Sequence, residues 1–165
     1  NFKKAVEEDV MGRAAEVQEE IQFVLDREKD ACFFAEMIAA SINDSFSDIH
    51  FDAITFVPQT AEESADRTYN QSEILANEVG KRINVPVFEL LKKIYETDNQ
   101  RDLHLSERSG NIFGVFECRN KNMIQGKNIL LIDDVKTSGA TINECAKMLH
   151  LYDATSVYCA VIAVV

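Results

Sequence analysis

Apolar positions along the chain fall into two spacings, and the change from one to the other marks out helices and strands. Val10, Ala14, Val17, Ile21 and Val24 recur at alternating intervals of four and three among Glu7, Glu8, Asp9, Arg13, Glu16, Glu19 and Glu20. That is the narrow stripe of a long amphipathic helix, with too few heptads for a coiled-coil seam, so it is expected to lie on the domain. Ala31, Phe34, Ala35, Ile38 and Ile42 keep helical spacing before a polar loop over Asn43–Asp48. Phe51–Val57 predicts the first strand, and Pro58 ends it. A helix through Leu75, Val79, Arg82 and Ile83 then stops near Asn84, just before Pro86.

Val87–Ile94 reads as a second strand and Ile112–Phe116 as a short one, separated by a long polar stretch from Tyr95 to Gly110. Such a stretch inside a compact domain is usually a functional loop or a disordered one. Ile129–Ile132 is a short buried strand. Ile142, Cys145, Ala146 and Leu149 then share one helix face up to about Leu151, and Ser156–Val165 reads as a last buried strand. Alternating strands and helices predict an α/β domain: a mainly parallel, Rossmann-like sheet with helices on both faces. The loops after Val57 and after Ile132 would then lie near one another.

Composition narrows the ligand classes. At 165 residues the chain is expected to be one domain, 1–165, with 1–48 as N-terminal helices packed on it or extending from it. Acids outnumber bases 28 to 17, a net charge of −11. Broad binding to nucleic acid or to an anionic membrane through surface charge is therefore not expected. An anionic ligand would need local amides, a few basic side chains and a metal ion. Cys32, Cys118, Cys145 and Cys159 are scattered without Cys-x-x-Cys spacing, against a zinc ribbon. Cys145 and Cys159 read as small core residues in a reducing compartment. With no signal peptide or membrane-spanning run, a cytoplasmic location is expected.

The chemistry concentrates in Asn128-Ile-Leu-Leu-Ile-Asp-Asp-Val-Lys-Thr-Ser-Gly-Ala-Thr141. Asp133 and Asp134 place two carboxylates at the end of a strand, and Thr137-Ser-Gly-Ala-Thr141 follows as a tight loop before a helix. Gly139 permits a turn that a Cβ would resist. Amides of the loop and first helical turn can converge on a phosphate, aided by the helix dipole and by the hydroxyls of Thr137, Ser138 and Thr141. Two carboxylates beside a phosphate site imply that they grip something else, such as sugar hydroxyls or a shared Mg²⁺. A phosphorylated sugar meets both demands. The plainer alternative is a solvated Asp-Asp turn with Ser138 or Thr141 capping the helix.

Asp133-Asp-Val-Lys-Thr-Ser-Gly-Ala-Thr141 closely resembles the phosphoribosyl pyrophosphate signature of type I phosphoribosyltransferases. Val57-Pro58 with Arg67-x-Tyr-Asn-Gln71, and Gln100 with Leu105-Ser-Glu-Arg108, Asn111, Gly114 and Phe116, resemble the ComF branch of that superfamily. Together these span Phe51 to the C-terminus. Asp66, Arg67 and Thr68 stand where the branch usually carries a basic residue and a glycine, and its N-terminal zinc module is expected to be absent.

The resemblance implies transfer of 5-phosphoribosyl from phosphoribosyl pyrophosphate to an amine or nucleobase nitrogen, with Mg²⁺. It makes Asp133 and Asp134 the catalytic acids, holding ribose hydroxyls directly or through the metal, and Val135, Lys136, Thr137, Ser138, Gly139, Ala140 and Thr141 the 5′-phosphate site. Pro58, Gln59 and Thr60 would face the pyrophosphate, with Arg101 or Arg108 closing over it. The alternative is a non-catalytic regulatory or competence-associated protein that binds the same sugar phosphate. A homodimer is left open. Asn70 has a rival role as a plain helix cap.

Overall fold

The computed structural model describes residues 28–59, 69–94, 115–136 and 138–164. The predicted helix over Val10–Val24, the polar stretch 95–110, and Thr60, Arg101, Arg108 and Thr137 lie outside the described residues. In chain order the elements are α1 (Glu28–Ser45), β1 (Ala53–Phe56), α2 (Gln71–Ile83), β2 (Leu91–Lys93), β3 (Phe116–Cys118), β4 (Asn128–Lys136), α3 (Ala140–Leu151) and β5 (Ser156–Val164). A short 3-10 turn over Lys121–Met123 precedes β4.

β1, β4 and β5 form a parallel sheet in that spatial order. On the other side of β1, Val87 makes a parallel bridge to Ile54. The run predicted as one strand over Val87–Ile94 therefore divides its work. Its start lies beside β1, and its end leaves the sheet as β2 to pair antiparallel with β3. Thr55 marks the parting: its buried Oγ1 accepts the Leu90 amide at 3.3 Å.

β4 is apolar on both faces because both faces are covered. Ile129 and Leu131 join Leu90, Leu91, Phe116, Ile124 and the α3 residues Ile142, Cys145, Met148 and Leu149. Leu130 and Ile132 face the other way, onto Ala35, Ile38 and Ile42 of α1 and Leu75, Ala76 and Val79 of α2. Burying each such leucine, isoleucine or valine contributes about 1.5–3 kcal/mol. Helices thus cover both sides of the sheet, as the alternation predicts. Gly80 lets α2 come close: a Cβ there would lie 2.6 Å from Val87 Cγ2 and 2.8 Å from the Val85 carbonyl oxygen.

Element ends differ from the pattern in instructive ways. α1 runs on to Ser45 through residues predicted as loop. α2 stops where predicted, at Asn84, which takes up left-handed geometry with φ 54°. β4 runs on through the acid pair to Lys136 instead of ending at Ile132, because β5 continues to pair with it. Cys145 is buried as expected, but Cys159 is exposed on β5, at the edge of the described sheet. No helix among the described residues is long and apolar enough to cross a membrane.

Candidate functional site

Sheet order and helix placement define a crevice. From β1 the chain goes through α2 to Val87 on one side; from β4 it goes through α3 to β5 on the other. The two connections diverge between β1 and β4, and at the carboxyl ends of these strands a ligand can enter between the helix starts. Pairing of β1 with β4 ends at Phe56 and Ile132, after which the Val57 amide donates to the Ile132 carbonyl at 3.0 Å. Among the described residues, β4 from Asp133 to Lys136 has β5 on one edge only. The first turn of α2 lies against the opposite edge.

Asn70 sets that turn. Its Oδ1 accepts the amides of Ser72 at 3.0 Å and Glu73 at 3.4 Å, capping α2, while its Nδ2 donates to the Val57 carbonyl at 3.0 Å. The capping role weighed for Asn70 is therefore real, and it also ties the helix start to the end of β1. Ser72 was not singled out from the sequence. Its buried Oγ donates to Asp133 Oδ1 at 3.0 Å across 61 positions of chain. A small hydroxyl residue just inside a helix capped by Asn70 is the one signal the sequence carries for it.

Asp133 is buried, 9% exposed, and the same Oδ1 also accepts the Asp134 amide at 3.1 Å. The Asp134 side chain also meets the Asp133 carboxyl group. Burial above all, then the charge of Asp134 and the hydrogen bond to its side chain, push the Asp133 pKa up to about 7, against the opposing pull of the Ser72 hydroxyl and the Asp134 amide. Asp134 is half-buried, and its Oδ1 accepts the Val135 amide at 2.7 Å. One acid is thus enclosed and the other is within reach of solvent. Val135 is buried and Lys136 exposed.

Beyond β4 the predicted loop is shorter than its sequence suggests, since α3 begins at Ala140 and Thr141 lies in its first turn. Gly139 is the N-cap, left-handed at φ 75°, and has no side chain of its own to cap the helix. Exposed Ser138 accepts the Ala140 amide at 3.3 Å through its Oγ, and the Asn143 amide returns to the Gly139 carbonyl at 2.9 Å. The first turn of α3 has no acidic residue, so that turn itself supplies nothing to offset the positive dipole end. A Cβ on Gly139 would come within 2.8 Å of Lys136 Cε. The lysine stem therefore lies across the glycine.

Pro58 is buried and Gln59 half-buried, immediately after β1. Among the described residues, the buried Gln59 Oε1 has no hydrogen-bond partner. Among the described residues, no group of three or more His, Cys, Asp or Glu side chains is arranged to hold a metal. The acid pair offers what a shared Mg²⁺ uses, one or two carboxylates with the remaining oxygens from ligand and water.

A model of the phosphoribosyl transferase domain matches residues 70–164. Competence protein F of Haemophilus influenzae is 31% identical over 51% of this chain and 38% of its own length. Competence protein ComFC of Bacillus subtilis is 28% identical over 70% of this chain and 45% of its own. The chain spans less than half the length of either of these curated relatives. Among solved structures, the glutamine phosphoribosylpyrophosphate amidotransferase of B. subtilis matches 80% of this chain and 26% of its own, with 19% identity and a TM-score of 0.57, a likeness of fold. A switch-point crevice with an acid pair and a glycine-capped helix start, read with a domain match over more than half of the sequence, leads to one assignment: the chain belongs to the phosphoribosyl transferase domain family, of type I, in its ComF-like branch.

Proposed function

We propose that this crevice binds phosphoribosyl pyrophosphate and that the protein transfers its 5-phosphoribosyl group to a small nitrogen acceptor. The observation that carries the reading is the meeting of opposite demands in one place. Two adjacent carboxylates precede a helix start whose N-cap is a glycine and whose first turn carries no acid. In this reading, Asp133 and Asp134 accept from the ribose hydroxyls, directly or through Mg²⁺. Amides and hydroxyls from Val135 to Thr141 hold the 5′-phosphate, and the Lys136 ammonium adds a cation beside Gly139.

Pro58, Gln59 and Thr60 face the pyrophosphate, with Arg101 and Arg108 supplying positive charge. Bound Mg²⁺ would supply charge neutralisation of the pyrophosphate leaving group. The chain's own contribution is positioning and a fixed electrostatic environment, because the developing oxocarbenium character needs little proton transfer. The single-domain organisation, 1–165, belongs to this proposal. It is supported by α1, whose Ala35, Ile38 and Ile42 pack into the same layer as α2.

A second reading, a protein that binds the sugar phosphate without turning it over, is favoured by one finding: both curated relatives are named as competence proteins. Calorimetric titration of phosphoribosyl pyrophosphate with and without Mg²⁺ tests the binding shared by both readings, and pyrophosphate release with a panel of amines and nucleobases separates them. The folded Asp133→Asn, Asp134→Asn double variant should lose that binding. Unchanged affinity would remove the assignment of the acid pair.

A further inference from the structure

Ser72 stands out among buried polar groups because its helix has no need of its hydroxyl. Asn70 already accepts the Ser72 amide, and the Ser72 Oγ is directed instead to a carboxylate on another element. Its base is anchored as well, since Asn70 also holds the Val57 carbonyl. The donor thus sits on a rigid mount at the junction of β1 and β4. The Ser72 hydroxyl and the Asp134 amide both donate to Asp133 Oδ1. Two donors on one oxygen fix the rotation of the carboxyl group and occupy Oδ1, so a ligand hydroxyl is left to meet Oδ2. A carboxylate held by the Asp134 amide alone, its own neighbour in the chain, would keep rotational freedom about its side-chain bonds.

We infer that Ser72 is a positioning residue: it orients Asp133 so that Oδ2 accepts a hydrogen bond from a hydroxyl of the bound sugar phosphate, which sets a preference for ribose over deoxyribose. This rests on the sugar-phosphate reading above and assigns a role to a residue that contacts the ligand only through Asp133. A purely structural Ser72 would contribute to stability alike whatever the ligand. A positioning Ser72 changes discrimination between ligands that differ by one hydroxyl.

The test is titration of the wild type, Ser72→Ala, Ser72→Thr and Ser72→Cys with ribose 5-phosphate, 2-deoxyribose 5-phosphate, 3-deoxyribose 5-phosphate and inorganic phosphate. Binding is followed by the Gly139 amide resonance. The wild type should favour ribose 5-phosphate over at least one deoxy analogue by about tenfold, the effect of one well-placed hydrogen bond to a charged group. Ser72→Ala should lose most of that ratio while keeping its affinity for inorganic phosphate, and Ser72→Thr should restore it. If Ser72→Ala does not fold, Ser72→Cys, nearly isosteric and a poor donor, must show the loss. An undiminished ratio in the folded Ala or Cys variant overturns the inference and leaves the functional reading intact. A wild type that binds both deoxy analogues as well as ribose 5-phosphate also overturns it, while one that binds no sugar phosphate overturns the functional reading and this inference together.

Discussion

Replacing Asp133 with Asn separates what the carboxylate does for binding from what it costs the fold. The group is 9% exposed, and burial with a neighbouring charge raises its pKa from 3.8 to about 7. That rise corresponds to a charging cost of about 4 kcal/mol. It is a ceiling, because Asn also exchanges two charge-assisted hydrogen bonds for neutral ones of the same geometry, each weaker by about 1 kcal/mol. A net gain of about 1–3 kcal/mol at pH 8 remains.

The sign of the pH dependence follows from proton counts. Between 3.8 and about 7 the folded chain holds a proton that the unfolded chain has released. The group therefore withdraws stability as pH rises through that window, and its full cost is present above it. Denaturant unfolding at pH 5 and pH 8 should show the advantage of Asp133→Asn growing between the two. Calorimetry should show phosphoribosyl pyrophosphate binding lost in the same variant. An advantage equal at both pH values, or a variant less stable at pH 8, would refute the reasoning and make Asp133 an ordinary stabilising anion.

Three further outcomes test the frame around the site. Gly80→Ala should destabilise the protein by up to about 2 kcal/mol in denaturant melts. A Cβ 2.8 Å from the Val85 carbonyl oxygen and 2.6 Å from Val87 Cγ2 costs more than the gain of about 1 kcal/mol in helix propensity. Asn70→Ala should cost about 2 kcal/mol, since it removes both the α2 cap and the donor to the Val57 carbonyl; hydrogen exchange at the Ser72 and Glu73 amides should rise. Gly139→Ala should cost about 1–2 kcal/mol from its positive φ alone, measured by thermal unfolding, because the colliding Lys136 stem is free to swing away.

The fold class was legible in the chain because the two periodicities are strong where faces are fully covered. Ile129–Ile132 has no polar interruption, and the face of α3 is set by Ile142, Cys145 and Leu149. The chemistry was legible for a different reason: an acid pair followed by small hydroxyl residues and one glycine is a local pattern, readable without tertiary information. What could not be read depends on long-range pairing. The sequence offered no reason for β4 to pass through Asp133 and Asp134, since only the register with β5 holds two carboxylates in an extended strand. The division of Val87–Ile94 between two sheets is decided by which partners are available to each half. Ser72 is not legible in the sequence because its partner is remote in the chain and its own neighbourhood reads as a helix start.

The two helix starts at the crevice are used differently, and that asymmetry bears on the ligand. Both α2 and α3 begin just beyond the carboxyl end of a strand, so both bring a positive dipole end to the same region of a chain whose net charge is −11. The start of α2 is already committed: Asn70 takes two of its amides, Glu73 places a carboxylate in its first turn, and Ser72 holds Asp133. The start of α3 carries a glycine cap and no acid in its first turn, and only the Ala140 amide meets a side chain, the exposed Ser138 hydroxyl, among the described residues. An anion is therefore drawn to the α3 side and hydrogen-bond donors to the acid on the α2 side. Inorganic phosphate satisfies one of these and leaves the raised, buried carboxylate without new donors. A ligand with a phosphate at one end and hydroxyls at the other satisfies both, so ribose 5-phosphate should bind more tightly than inorganic phosphate. Equal affinities would mean that the acid pair takes no part in recognition.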